Sequence, residues 1–340
     1  MVLMCRSRQR ERPHGLPVAG AWGTCASTPS SGSASWRLTA ATAVLASLLG
    51  LTATACSTAE KSARPQVVVA LYPLEFVASK VAGTHADVTS LAQGAVEPHD
   101  QELTAKQRAS LASATTVLYL KGMSPSVDDA VSGASNAVDV LSLLGDKARA
   151  RDQHMWLNPL LLAHVGEELA SSLADFDPAN RAAYSANATA LQASLTELDA
   201  GIREATASCG QRLMVTAHGA FAYFASRYKF RQVNVLGTNP EAQPSPAVIA
   251  RIVKVMREAN VSSVYSEVGG DASIAATLAS ETGARVRTLY PIEVEVPGKD
   301  YFSMMAHNRD QVVAGQGCRR WVGGGPSIAT PDTSTQGELR

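Results

Sequence analysis

Aromatic residues are scarce, at 5% of the 340-residue chain, and net charge is absent, with 30 basic side chains set against 30 acidic ones. A chain with no basic excess lacks the positive face that nucleic acid requires, so nucleic-acid binding is excluded as a function. The HExxH pattern of many zinc hydrolases is missing. The longest uncharged apolar run falls short of the roughly 20 residues needed for a confident membrane span. Internal repeats are also missing, apart from a loose likeness between the two halves. What is present is a 46% apolar chain rich in Val, Leu and Ile, with only 18% charged residues. That composition suits a folded protein of one large α/β domain or two lobes, not a disordered one.

The N-terminus reads as an address. Residues Thr39 to Ala55 form a small-to-apolar run behind Arg37 and end in Ala53-Thr54-Ala55-Cys56. Small residues directly before a cysteine resemble a bacterial lipobox, in which Cys56 would be acylated and become the mature N-terminus. An ordinary secretory signal with an incidental cysteine is the alternative. Residues 1–56 are accordingly expected to be leader and signal, with the mature chain exported and held at the membrane surface by lipid. Of the five cysteines, Cys5 and Cys25 fall in the leader, and Cys56 is assigned to lipid. Two remain, and an even remainder in an oxidising compartment points to a Cys209–Cys318 disulfide, with two buried thiols as the alternative.

From about residue 66, short β-branched runs alternate with helical patterns. Val67–Leu71, Val88–Leu91, Thr116–Leu120 and Val138–Leu141 read as buried parallel strands in the first half. Leu213–Thr216, Val233–Leu236, Ser263–Ser266 and Val286–Leu289 do so in the second. Thr104 and Gln107 fit a capping box, and Pro246 sits where a helix can start. Between the halves, Leu191, Leu195, Leu198 and Ile202 recur at three- and four-residue steps in a stretch with Asp177 as its N-cap. The expected fold is α/β: two lobes, each a four-stranded parallel sheet flanked by helices, joined by one long rigid backbone helix. The boundaries are 66–177, 178–208 for the helix, and 209–318. Residues 319–340, rich in Gly, Pro, Ser and Thr, read as a disordered tail.

Three of the seven histidines share a telling context. His99 lies in the loop after the second strand. His154 precedes a helix. His218 directly follows the strand ending at Thr216. Ligands bind beyond the carboxyl ends of strands in open parallel sheets, so His99 and His218 fall on the binding edges of different lobes. Three imidazoles converging on a cleft make a Zn2+ site with one position left over, and imidazole suits zinc better than Mn2+. His85, His164 and His307 read as structural.

At this point the chain resembles the zinc and manganese solute-binding proteins of ABC importers. The matching segments are VVVALYPLEFVASKVAG (67–83), GAVEPHDQELTAKQ (94–107), DQHMWLNP (152–159), TAHGAFAYFASRY (216–228), PEAQPSP (240–246) and DYFSMMAHNRD (300–310). The resemblance implies metal held between the lobes by His99, His154 and His218, and delivery to a membrane permease powered by a separate ATPase. Histidine at 218 is similar to the zinc branch. The expected receptor is a monomer and not an enzyme.

Two features depart from that pattern. Tyr290 stands where the family's fourth ligand, an aspartate, is expected, and a neutral phenol is a poor zinc ligand. Water, Glu267 or a Tyr290 phenolate would then complete the tetrahedron. Residues 121–153 also lack the histidine-rich insert of many zinc receptors. Other readings stay open. One is a zinc-dependent hydrolase using the free fourth position, with Glu267 as its only candidate base. Another is a receptor for a non-metal or chelated ligand, for which Trp156 and Tyr290 are the obvious aromatic cleft residues. A third is a metal-binding surface adhesin.

Overall fold

The computed structural model describes residues 64–319 apart from 93–95, 149–151, 238–241 and 269. The leader, Cys56 and the tail beyond Arg319 lie outside the described residues.

The first half builds β1 (Gln66–Val69), α1 (Tyr72–Ala82), β2 (Asp87–Ser90), α2 (Ala105–Ser113), β3 (Thr116–Tyr119), α3 (Pro125–Ala130), β4 (Ala137–Asp139) and α4 (Val140–Leu143). Two long helices follow, α5 (Pro159–Phe176) and α6 (Arg181–Thr206). The second half builds β5 (Leu213–Thr216), α7 (Ala222–Arg227), β6 (Arg231–Asn234), α8 (Pro246–Glu258), β7 (Ser263–Glu267), α9 (Ser273–Thr282), β8 (Arg285–Leu289) and α10 (Tyr301–Gly315). Each half forms a four-stranded sheet, in the orders β2-β1-β3-β4 and β6-β5-β7-β8, and every pairing is parallel. This is the two-lobed α/β architecture expected from the sequence.

The central strands β1, β3, β5 and β7 are buried along most of their length, so apolar runs mark them well. Local signals also place helix starts. Thr104 and Gln107 form the capping box of α2, and Ser245 caps α8 with Pro246 in its first turn. The long helix differs in detail. Pro178–Asn180 forms a 3-10 turn, and Asp177 caps nothing with its side chain. Its carboxylate accepts instead from Asn180 Nδ2 at 2.7 Å and from the Tyr184 hydroxyl at 2.9 Å.

Helix α6 spans roughly 39 Å at 1.5 Å per residue. Tyr184, Ala188, Leu191, Leu195, Leu198 and Ile202 form its buried stripe, and α5 packs along it while α1 packs against both. One apolar core runs from the first sheet through these helices to Met214, Phe224 and Leu289 of the second half. A smaller core of Leu213, Val215, Ile252, Met256, Val264 and Leu278 lies among β5, β7, α8 and α9. A core continuous across both halves favours a stiff connection over a loose hinge. Asp199, buried on α6, binds Arg227 at the end of α7 through two hydrogen bonds of 2.7 and 2.5 Å. Cys209, just past α6, is bonded to Cys318, just past α10, and the two also form an isolated antiparallel bridge.

Candidate metal centre

Four side chains meet between the halves. His99, His154, His218 and Glu293 each offer a ligand atom, and these atoms lie within 4.8 Å of one another. His154, His218 and Glu293 are at most 2% exposed. The rings of His154 and His218 stand 5.0 Å apart, and those of His99 and His154 stand 6.5 Å apart.

His99 sits in a 3-10 turn, Pro98–Asp100, beyond β2. The buried Gln101 ties this turn to the sheet by donating its amide to the Leu91 carbonyl. His99 Nε2 is buried and has no hydrogen-bond partner among the described residues. A buried, unpaired ring nitrogen costs free energy unless something binds it. Burial also pushes the imidazole's pKa down, which keeps it neutral and available as a ligand.

His154 is fixed on both sides. Asp152 Oδ1 accepts from the His154 backbone N–H and lies 3.0 Å from Nδ1, while Nε2 lies 2.8 Å from Glu293 Oε1. Burial alone would lower this pKa, but the two carboxylates outweigh it and push it up to about 9. Glu293 is likewise raised by burial and lowered further by His154, ending well below the usual carboxylate range. His154 is thus bonded between two carboxylates that favour its protonated form.

His218 is set by strand register. Thr216 pairs with Tyr265, so His218 stands level with Glu267, two residues further along each chain. Both carboxylate oxygens of Glu267 lie at His218 Nδ1, at 3.0 and 3.1 Å. The His218 carbonyl accepts from Thr216 Oγ1 at 2.6 Å and from Gln232 Nε2 at 3.1 Å. Gly219 makes the turn possible, because a Cβ there would lie 2.5 Å from the Gly237 carbonyl oxygen.

Glu293 follows β8 by four residues. Asn308 of α10, wholly buried, holds both the N–H and the carbonyl of Tyr290 at 2.8 Å. Trp156 Nε1 donates to the Pro291 carbonyl at 2.8 Å. Ile292 then takes φ +61°, a left-handed conformation that a β-branched residue adopts only at a penalty of about 1–3 kcal/mol. This turn aims the next side chain, Glu293, at the histidines.

The three histidines singled out from the sequence are brought together. Neither residue offered there as a fourth ligand joins them. Glu267 lies behind His218, and the ring of Tyr290 stands edge-on to His307 at 4.9 Å. The fourth group is Glu293, which the sequence reading does not offer because the family resemblance points to the strand end at 290. A signal was present: an acid three residues further on, after a Pro that marks a turn. His85, His164 and His307 lie outside the cluster, and the last two reach the backbone carbonyls of Leu143 and Thr288.

Three imidazoles and a carboxylate are a donor set suited to zinc. Bonds of about 2.0–2.1 Å in a tetrahedron put ligand atoms about 3.3 Å apart, so small side-chain movements from the observed spacing suffice. Asp152 and Glu267, each at an Nδ1, leave Nε2 of both histidines facing the cluster. This is the carboxylate–histidine arrangement that orients metal ligands.

A family model described as zinc-uptake complex component A, periplasmic (ZnuA) matches residues 67–315. The chain is 28% identical over 298 residues to the high-affinity zinc uptake system protein ZnuA of Bacillus subtilis (strain 168), covering 80% of this chain and 93% of that protein. Among solved structures, the metal-dependent lipoprotein YcdH of B. subtilis superposes with a TM-score of 0.65 at 28% identity, covering 74% of this chain and 100% of that one. The Zn(II)-bound ZnuA-like domain of Streptococcus pneumoniae AdcA gives a TM-score of 0.65 at 27% identity, covering 75% and 99%.

Proposed function

This chain belongs to the family of zinc-uptake complex component A, and on that premise we propose that it is an extracytoplasmic zinc receptor whose cargo is held by His99, His154, His218 and Glu293. The family accounts for the zinc and for the place outside the cytoplasm. The ligand set rests on one observation, the cluster of these four side chains, three of them buried, with His99 Nε2 unpaired among the described residues.

Glu293 replaces the anion whose loss Tyr290 suggested. Three neutral imidazoles and one carboxylate reduce the charge of bound Zn2+ to +1. They also supply all four protein ligands, so no position is kept for a reactive water. This favours a carrier over a hydrolase. The receptor would hand its metal to a membrane permease coupled to an ATPase, act as a monomer, and be tethered through acylated Cys56. Its lobes would be 66–177 and 209–318, with 178–208 as the connector.

The test is competition titration of the full chain with Zn2+ and Mn2+ against a chromophoric chelator at pH 7.5. One zinc site much tighter than the manganese site is expected. His218→Ala and Glu293→Ala should each weaken zinc by at least about 100-fold, more than loss of an orienting partner does. Tyr290→Phe should leave it unchanged. Weak binding by Tyr290→Phe with full binding by Glu293→Ala would overturn the ligand set. Failure of the unsubstituted chain to bind zinc tighter than micromolar would overturn the receptor reading.

A further inference from the structure

We propose that Trp156 is a positioning residue that sets the span between His154 and Glu293; this rests on the reading of both as metal ligands. Trp156 is wholly buried, two residues after His154. Its indole N–H donates to the carbonyl of Pro291, two residues before Glu293, and its own carbonyl accepts from the Tyr301 hydroxyl at 2.7 Å. Indole nitrogen is a donor only, and when buried it needs a partner. The pairing with Pro291 is therefore a fixed feature of this packing.

Among the described residues, two hydrogen bonds join the segments that carry the opposing ligands. The first, between His154 Nε2 and Glu293 Oε1, uses the ligand atoms themselves. It cannot persist once both atoms bind a metal. The second, from Trp156 to Pro291, uses no ligand atom and survives metal binding. It alone of these two can define the span in the loaded protein.

The Glu293 arm needs such a fastening. Ile292 holds a left-handed conformation unfavourable to its side chain, and a segment under that constraint relaxes if released. Asn308 fastens the arm at Tyr290, but Asn308 lies on α10, in the same half as the arm. Trp156 refers it to the segment of His154. Tyr301, which grips Trp156 from the far side, stacks on Phe76 of α1 at 5.0 Å between ring centres, so the strut is anchored in the shared core.

The test is a double-mutant cycle on the full chain, read by zinc affinity in competition titration. Trp156→Phe keeps an aromatic ring and removes the donor. It should weaken zinc by about 10–100-fold, the range seen for outer-shell partners. In a Glu293→Gln background the same change should alter affinity by less than about threefold, because its only route of action is gone. The visible spectrum of bound Co2+ should change in Trp156→Phe from the intense bands of four-coordination to weaker, higher-coordinate ones. Where Trp156→Phe does not fold, Tyr301→Phe, which frees the Trp156 carbonyl, should show the same dependence on Glu293. Equal losses in both backgrounds, or parental affinity and spectrum in Trp156→Phe, would overturn the strut. Glu293→Gln binding zinc as tightly as the parent would overturn the ligand reading first, and the strut with it.

Discussion

Glu267 stands behind His218: both of its carboxylate oxygens lie 3.0–3.1 Å from Nδ1, the ring nitrogen on the far side from Nε2. The position follows from parallel register, since β5 and β7 are neighbours and each residue lies two places beyond the Thr216–Tyr265 pair. A carboxylate so placed fixes the tautomer and makes the other nitrogen a better donor to metal. Glu267→Ala should therefore weaken zinc by about 10–100-fold, while Glu267→Gln, which keeps an acceptor oxygen, should lose less than about tenfold. A ligand would behave differently, with Gln and Ala both close to complete loss. Competition titration of the two variants separates the roles.

Proton competition follows from the pair His154 and Glu293. The His154 pKa is pushed up to about 9 in the metal-free protein, above its unfolded value of about 6.5. Its contribution to stability is thus fully present below about pH 6.5 and lost as pH rises through about 9. Zinc must displace that proton. Zinc affinity should rise about tenfold per pH unit up to about pH 9 and then level off. Thermal unfolding should show the metal-free protein losing stability from pH 7 to 9.5 while the increment from zinc grows. Affinity that is flat between pH 7 and 9 would show that His154 is already neutral.

Much of the fold could be read because burial and sequence pattern coincide. The central strands are largely buried and built around apolar residues, and capping residues announce α2 and α8. The edges were harder. At β6 the apolar pair Val235 and Leu236 lies in a turn, both N–H groups donating to Ala217, while the strand itself is the more polar Arg231–Asn234. At the end of β4, Val140 and Leu141 belong to a short helix. In both places the apolar residues mark burial and not strand. The histidines of the site were legible from their places at strand and helix ends. Glu293 was only hinted at, by an acid soon after Pro291, because its approach depends on a left-handed Ile292 in a turn that Asn308 holds at Tyr290 and Trp156 at Pro291. No local pattern encodes contacts from such distant positions.

Gly219 makes a steric demand on the His218 turn. An alanine Cβ would sit 2.5 Å from the Gly237 oxygen and 2.9 Å from its carbonyl carbon, both backbone atoms that cannot rotate away. Gly219 N–H also donates to that same oxygen. Gly219→Ala must therefore push apart the turns after β5 and β6. Overpacking of this kind costs about 1–3 kcal/mol, or about 2–12 °C in melting temperature at about 2–4 °C per kcal/mol. Because the displaced residue adjoins His218, zinc affinity should fall as well. A calorimetric scan and a titration of one preparation test both, and an unchanged melting temperature would mean the turns have room to separate.

Asp199 and Arg227 provide the last test, since they tie the long helix to the segment after His218. Asp199 is 2% exposed, and Arg227 meets it with two nitrogens while the Tyr228 hydroxyl adds a third bond at 3.2 Å. Removing the cation leaves a buried carboxylate without its counter-ion, typically a loss of 3–5 kcal/mol. Arg227→Met should thus lower the melting temperature by about 6–20 °C. The double variant Asp199→Leu/Arg227→Met removes both charges and should recover most of that loss, because an apolar pair of similar volume often replaces a buried ion pair without penalty. Zinc affinity decides what the pair is for. If α6 steadies the His218 turn through α7, the double variant will be stable yet bind zinc more weakly than the parent. If it matches the parent in both, the pair serves folding alone, and the position of His218 depends on Thr216, Gln232 and Glu267 without help from the long helix.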